Sequence, residues 1–179
     1  QNLTDFSGKF DWVWACPTET SCGLKIPIVE LKKFSRKIKA KLALDATASI
    51  GLELDHELAD VISYSSCKGL FGLTGACFIS YNLNPENKVN SFILDINSHI
   101  EKKMTGPYHA IQSLEKILSK HNDYKYTVKV NKKKFLKIFE NKLIYSKKNQ
   151  PLLCTYVKCK LKAKDKRVIF YKARNNLPG

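Results

Sequence analysis

Phe10-Asp11-Trp12-Val13-Trp14-Ala15-Cys16 is a short, nearly unbroken apolar run, the pattern of a buried strand, with Trp12 and Trp14 read as core. A polar stretch from Pro17 to Gly23 reads as a loop. Ile28, Leu31, Phe34 and Ile38 then recur at steps of three and four while the lysines fall elsewhere, which predicts a helix over 28–40. The pattern returns to strand at 41–44, closed by Asp45, and again at 60–64 and 75–81. Asn-Leu-Asn-Pro-Glu-Asn-Lys within 82–90 breaks the rhythm and marks a boundary. Beyond it a helix is expected over 107–122, with Ile111, Leu114, Ile117 and Leu118 on one face and Pro107 in the first turn. A second helix is expected over 131–143, with Phe135, Ile138 and Phe139 inward. Strands are expected at 152–161 and 167–171, joined by a turn at 162–166. The prediction is an α/β unit over 1–90, a mainly parallel sheet with helices, followed over 91–179 by a connecting helix and the start of a small α+β domain.

In open α/β sheets, ligands gather beyond the carboxyl ends of the strands. Thr20, Asp45, Ser66 and Lys68 each follow a predicted strand, so separate segments aim polar groups at one edge. A lysine past one apolar strand and a carboxylate past another suit pyridoxal phosphate chemistry. The amine holds the cofactor as a Schiff base, and the acid keeps the pyridine nitrogen protonated so that the ring withdraws electrons.

Composition narrows the alternatives. Hydrophobic residues make up 44% of the 179, enough for a real core. The six cysteines form no CxxC pair and no zinc spacing with histidine, so no metal site is expected and they read as buried, reduced thiols. No apolar run is long enough to span a bilayer and no secretory leader is visible, so a cytoplasmic protein with no membrane partner is expected. The chain begins with Gln1 and its one methionine is Met104, which suggests a piece of something longer. Residues 1–90 carry 10 Lys+Arg against 10 Asp+Glu, and residues 91–179 carry 21 against 6, so all of the +15 net charge lies in the second part. These lysines are spread through amphipathic segments, and Arg167 and Arg174 are the second part's two arginines. A solvated basic surface is therefore expected rather than a nucleic-acid interface.

Three segments together resemble a known family. Cys16-Pro17-Thr18-Glu19-Thr20-Ser21-Cys22-Gly23-Leu24-Lys25-Ile26-Pro27 is similar to the glutamate–hydroxyl–glycine–proline loop of class V aminotransferases. Leu44-Asp45-Ala46-Thr47-Ala48-Ser49-Ile50-Gly51 resembles their aspartate strand end, and Ser65-Ser66-Cys67-Lys68-Gly69-Leu70 their cofactor-lysine segment. Within the family the likeness is greatest to the 2-aminoethylphosphonate–pyruvate transaminases, and it is good over residues 10–82. It implies a partial fold-type I large domain and pyridoxal 5'-phosphate as cofactor. It further implies a primary amine and a 2-oxo acid as substrates, and a homodimer with its site at the subunit interface.

Residue by residue, the resemblance implies that Lys68 forms the Schiff base and then shuttles a proton, and that Asp45 pairs with the pyridinium. It implies that Thr20 bonds the ring oxygen, Ser66 contacts the phosphate, and Thr105 reaches the neighbouring subunit's phosphate. The chain departs from the family where Tyr108 replaces a second threonine, where Cys67 precedes the lysine, and where Leu73-Thr74-Gly75 replaces a Pro-Gly pair. His109, at a helix start, reads as a capping or packing histidine. A glycine-rich phosphate loop and a ring-stacking aromatic are not found in the sequence, and Arg174 fits the substrate-carboxylate arginine poorly by position. The alternatives are a lyase or desulfurase on the same scaffold, for which Cys154 or Cys159 would have to serve, and an inactive piece acting through its basic surface.

Overall fold

A computed structural model describes residues 8–83, 89–103 and 105–169. Its centre is a sheet of β1 (Trp12–Ala15), β4 (Lys41–Asp45), β5 (Val61–Ser65) and β6 (Cys77–Tyr81), side by side in that order. The first three run parallel, and β6 turns back antiparallel to β5. The sheet is thus mainly parallel, as the apolar runs predict, with boundaries within two residues of expectation. Helix α1 (Ile28–Lys37) crosses from β1 to β4. Its buried Ile28 and Leu31 meet Leu42 and Leu44 of β4 and Ala59, with Val13, Ala15 and Ile62 packed around them.

The same register explains one correction. Side chains alternate across a strand, so Val13 and Ala15 face this core while Trp12 and Trp14 take the other face of an edge strand. Trp14 is 78% exposed and Trp12 45%, not core. Lys41 lies over the Trp12 ring, 5.5 Å from its centroid.

The 17–23 loop carries a small antiparallel hairpin of β2 (Thr18–Glu19) and β3 (Leu24–Lys25). Gly23, at φ +69, makes its return, and a Cβ there would strike the Tyr156 ring at 2.5 Å. In the second part, α2 (Ile96–Lys102) is an addition to the sequence prediction. Asp95 caps it by accepting the Ser98 N–H at 3.2 Å. The helix expected over 107–122 is α3 (Tyr108–Leu118), with Ala110 and Leu114 buried and Ile111 and Leu118 exposed. The helix expected over 131–143 is α4 (His121–Ile138), which starts ten residues earlier, and Ile138 faces solvent.

The strand expected at 152–161 does not form. A single bridge between Leu143 and Val157 is all the pairing this stretch makes. Residues 167–169 are not strand either, and 170–171 lie outside the described residues. The 143–157 segment is spent instead on capping the first part. Asn149 Nδ2 donates to Lys25 O at 2.9 Å, the Leu152 N–H to Glu53 Oε1 at 2.9 Å, and the Tyr156 hydroxyl to Thr20 O at 3.2 Å. The Leu152 N–H is thereby withdrawn from any strand ladder, while the Asn149 and Tyr156 side chains pin the segment against the hairpin.

Candidate functional site

Parallel register brings three strand ends to one edge. Ala15 lies opposite Leu44, and Asp45 opposite Ser63, so Cys16, Asp45 and the segment after Ser65 emerge together. Lys68 opens a 3-10 turn over Lys68–Leu70 just beyond β5. Its backbone is left-handed, at φ 45, and Phe71 closes the turn at φ 62. Each such residue costs about 1–2 kcal/mol when it is not glycine, so the surroundings must impose the shape.

They do so through a dense set of bonds. The Gly69 N–H donates to Thr47 O at 3.1 Å, Leu70 N–H to Cys67 O at 3.2 Å, Phe71 N–H to Lys68 O at 3.1 Å and Gly72 N–H to Ser66 O at 2.9 Å. A Cβ at Gly69 would overlap the Ile50 carbonyl oxygen, and one at Gly72 would sit 2.6 Å from Ser66 O, so both positions need glycine. Ser66 is fully buried, and its hydroxyl donates to Leu73 O at 2.6 Å while accepting the Ala76 N–H at 3.3 Å. That hydroxyl is turned into the loop and shapes the ground on which Lys68 stands.

The exposed Lys68 Nζ donates to Thr20 Oγ1 at 3.2 Å. Thr20 lies between β2 and β3, so the hairpin brings its hydroxyl to the lysine. Asp45, at the end of β4, accepts the Thr47 N–H on Oδ1 at 3.0 Å. Burial pushes the Cys16 thiol up, Asp45 and Glu19 push it further, and Lys68 pulls it back. Glu19 is held below the usual carboxylate range by the Ser21 N–H, which its Oε1 accepts at 2.8 Å, and it also feels Lys68 and Asp45. Lys68, Thr20, Asp45 and Glu19 therefore share one neighbourhood. Thr105 is exposed ahead of α3. Among the described residues no hydrogen bond ties it to Lys68, Thr20 or Asp45.

Two contributors were not singled out from sequence. His121 Nε2 donates to Gly69 O at 3.0 Å, and its ring lies 5.3 Å from that of Phe71. Tyr156 supports the Thr20 backbone. His121 escaped notice because 107–122 reads as one helix, which places it at a helix end rather than at the start of a new one. His109 is exposed at the start of α3. All six cysteines are free, Cys77 is exposed, and burial pushes the Cys154 thiol up to about 11. Among the described residues, no group of three His, Cys, Asp or Glu side chains is placed to hold a metal, and no helix is long and apolar enough to cross a membrane.

The architecture is α/β and matches part of the fold-type I scaffold seen in solved aminotransferase structures. Particular solved structures that share it include alanine–glyoxylate aminotransferase from Nostoc sp. (TM-score 0.67, 19% identity, 82% of this chain and 46% of that one). A phosphoserine aminotransferase from Cytophaga hutchinsonii matches with TM-score 0.66 and 18% identity, over 88% of this chain and 52% of that one. A cysteine desulfurase from Thermococcus onnurineus matches with TM-score 0.54 and 16% identity, over 79% of this chain and 42% of that one. The chain thus spans about half the length of these proteins. No family profile matches the sequence, and no curated protein does.

Proposed function

We propose that this chain is the lysine-bearing part of a pyridoxal-phosphate-dependent aminotransferase. It would move an amino group from a primary amine, such as an aminophosphonate or amino acid, to a 2-oxo acid. The observation that carries this reading is the strained turn that presents Lys68 Nζ to Thr20 Oγ1 at 3.2 Å, on the edge where Asp45 ends β4.

These residues fit the cofactor. Lys68 is an exposed amine with one weak neutral partner, free to bind an aldehyde. Asp45 has one oxygen committed to Thr47 and a second that can hold a ring nitrogen's proton. When bound, pyridoxal phosphate supplies an electron-withdrawing ring that stabilises negative charge at the substrate carbon. The chain's own part is to hold and orient. Thr20 steadies the lysine and offers a hydroxyl to a ring oxygen. With the cofactor held there, the Lys68 amine would be the group that accepts a proton at the substrate's α-carbon and gives it back. Thr105 would reach toward phosphate on a neighbouring subunit of a homodimer.

Sulfur transfer through Cys154 is disfavoured because burial pushes that thiol up to about 11, away from the thiolate that a desulfurase needs. The test is to add pyridoxal phosphate, follow its visible absorption, reduce with borohydride and map the labelled peptide. The label should fall on Lys68, with weaker retention in Asp45→Asn. A Lys68 peptide that stays unlabelled while others take the cofactor overturns the assignment.

A further inference from the structure

Away from the sheet edge, Lys132 on α4 is the one described lysine drawn well down the titration scale. Its Nζ donates to Cys154 O at 2.7 Å and to the Thr155 hydroxyl, both neutral acceptors. Two open surface clefts of about 430 and 320 Å³ share Lys132 and Leu152 in their walls. Such volumes are in the range that takes small-molecule ligands. Around the larger one, Lys129, Lys133 and Lys137 repeat at four-residue steps along α4. Like charges at that spacing repel one another by a few tenths of a kcal/mol each. Glu140, the acid in that wall, is already paired with Lys147. Lys132 thus stands in both walls: Cys154 and Thr155, which hold its Nζ, line the smaller cleft, and the surplus positive charge of Lys129, Lys133 and Lys137 lines the larger, over Leu136 and the shared Leu152.

The geometry points to a second aldehyde-reactive amine at Lys132, taking a small phosphorylated aldehyde whose phosphate rests among Lys129, Lys133 and Lys137. The neutral Lys132 amine attacks the carbonyl carbon. The resulting carbinolamine then loses water, giving a carbon–nitrogen double bond, with no oxidant or reductant involved. The Thr155 hydroxyl, released from the amine, lies where it can donate to the departing oxygen. Desolvation beside other cations is one way proteins arm a lysine for this chemistry. Burial brings Lys132 to about 8, and Lys25 acts in the same direction, against Cys154 and Glu53. At pH 7 about a tenth of such an amine is neutral, on the order of a hundredfold more than for an ordinary lysine.

The Cys154 thiol feels both Lys132 and Lys68, so the test separates the two amines. The full chain, as wild type and as Lys68→Ala, is treated with glyceraldehyde 3-phosphate and cyanoborohydride, and adducts are mapped. Lys132 should be labelled about tenfold faster than its exposed neighbour Lys133, equally in both proteins, with a pH midpoint near 8. Replacing Lys133 and Lys137 by Gln should slow labelling by the phosphorylated aldehyde and leave labelling by uncharged glyceraldehyde unchanged. Even labelling along α4, or equal loss with both probes, overturns the proposal. The Lys68 reading would be untouched by that failure, because its test reads a different cofactor on a different peptide.

Discussion

His121 Nε2 donates to the Gly69 carbonyl at 3.0 Å across 52 residues of chain, joining the first turn of α4 to the turn that carries Lys68. A carbonyl can only accept, so Nε2 is the protonated nitrogen. The ring is also wedged in place: Phe71 lies against it, and a Cβ at Gly51 would sit 2.8 Å from it. The second part of the chain thus helps to hold the left-handed backbone of Lys68 from outside the sheet.

His121→Phe keeps the ring against Phe71 but leaves the Gly69 carbonyl without its donor. The expected loss is about 1–2 kcal/mol of stability, read by urea denaturation. Amide exchange should quicken across residues 66–72 more than in β4. His121→Gln, which keeps an N–H donor, should recover part of both effects. If exchange in the Lys68 turn is unchanged in His121→Phe, His121 does not hold that turn.

Much of this arrangement was legible in the sequence, and the part that was not has a physical reason. The four apolar runs and α1 could be read because each buries a face against a neighbour close in sequence, which leaves a clean period. The position of Lys68 after a strand could be read from the apolar run before it, whereas the left-handed turn that carries it could not. The face of Trp12 and Trp14 was not legible, because an apolar run looks the same whether one face or two are covered, and among the described residues little covers the second face of β1. The 152–161 stretch has strand-like residues, but its Leu152 N–H goes to Glu53 and its Tyr156 hydroxyl to the β2–β3 hairpin, and a single bridge is its pairing. Long-range competition of that kind leaves no local signal. The same holds for His121, whose partner lies far back in the chain.

Asp60 ties three elements together and makes the fold sensitive to acid. Its Oδ2 accepts the Leu42 N–H at 2.7 Å and Lys32 Nζ at 2.9 Å, linking the start of β5 to β4 and α1. Partial burial pushes this carboxyl up, but the Leu42 N–H and Lys32 together outweigh that and hold it below its ordinary value. A carboxylate depressed in the folded state binds fewer protons there than when unfolded. Its stabilisation is therefore present above about pH 4 and is lost as pH falls through the lower folded value. Asp60→Asn should be less stable than wild type at pH 7, and the gap should narrow on acidification below about pH 4. Denaturant midpoints measured across pH 2–7 would check this, and a constant gap would remove Asp60 from the acid response.

Lys132 should act with the opposite sign at the alkaline end. Its folded value of about 8 lies below the ordinary 10.5, so between those limits the unfolded chain binds more protons than the folded one. Stability contributed through this group therefore rises with pH across that window. Cys154 opposes it: burial raises that thiol to about 11 from 9.0, so its contribution falls as pH rises through its own window. The two groups feel each other's charge, so the informative quantity is the difference that Lys132→Met makes in a Cys154→Ser background. Below pH 8 the folded parent holds a charged amine away from water, whereas Met fills the same space without that cost. The variant should be the more stable protein at pH 7, and its advantage should shrink steadily toward pH 10.5. A difference that stays flat from pH 7 to pH 10.5 would show that Lys132 is as well solvated in the folded protein as in the unfolded chain, and would remove the desolvated amine on which the aldehyde site depends.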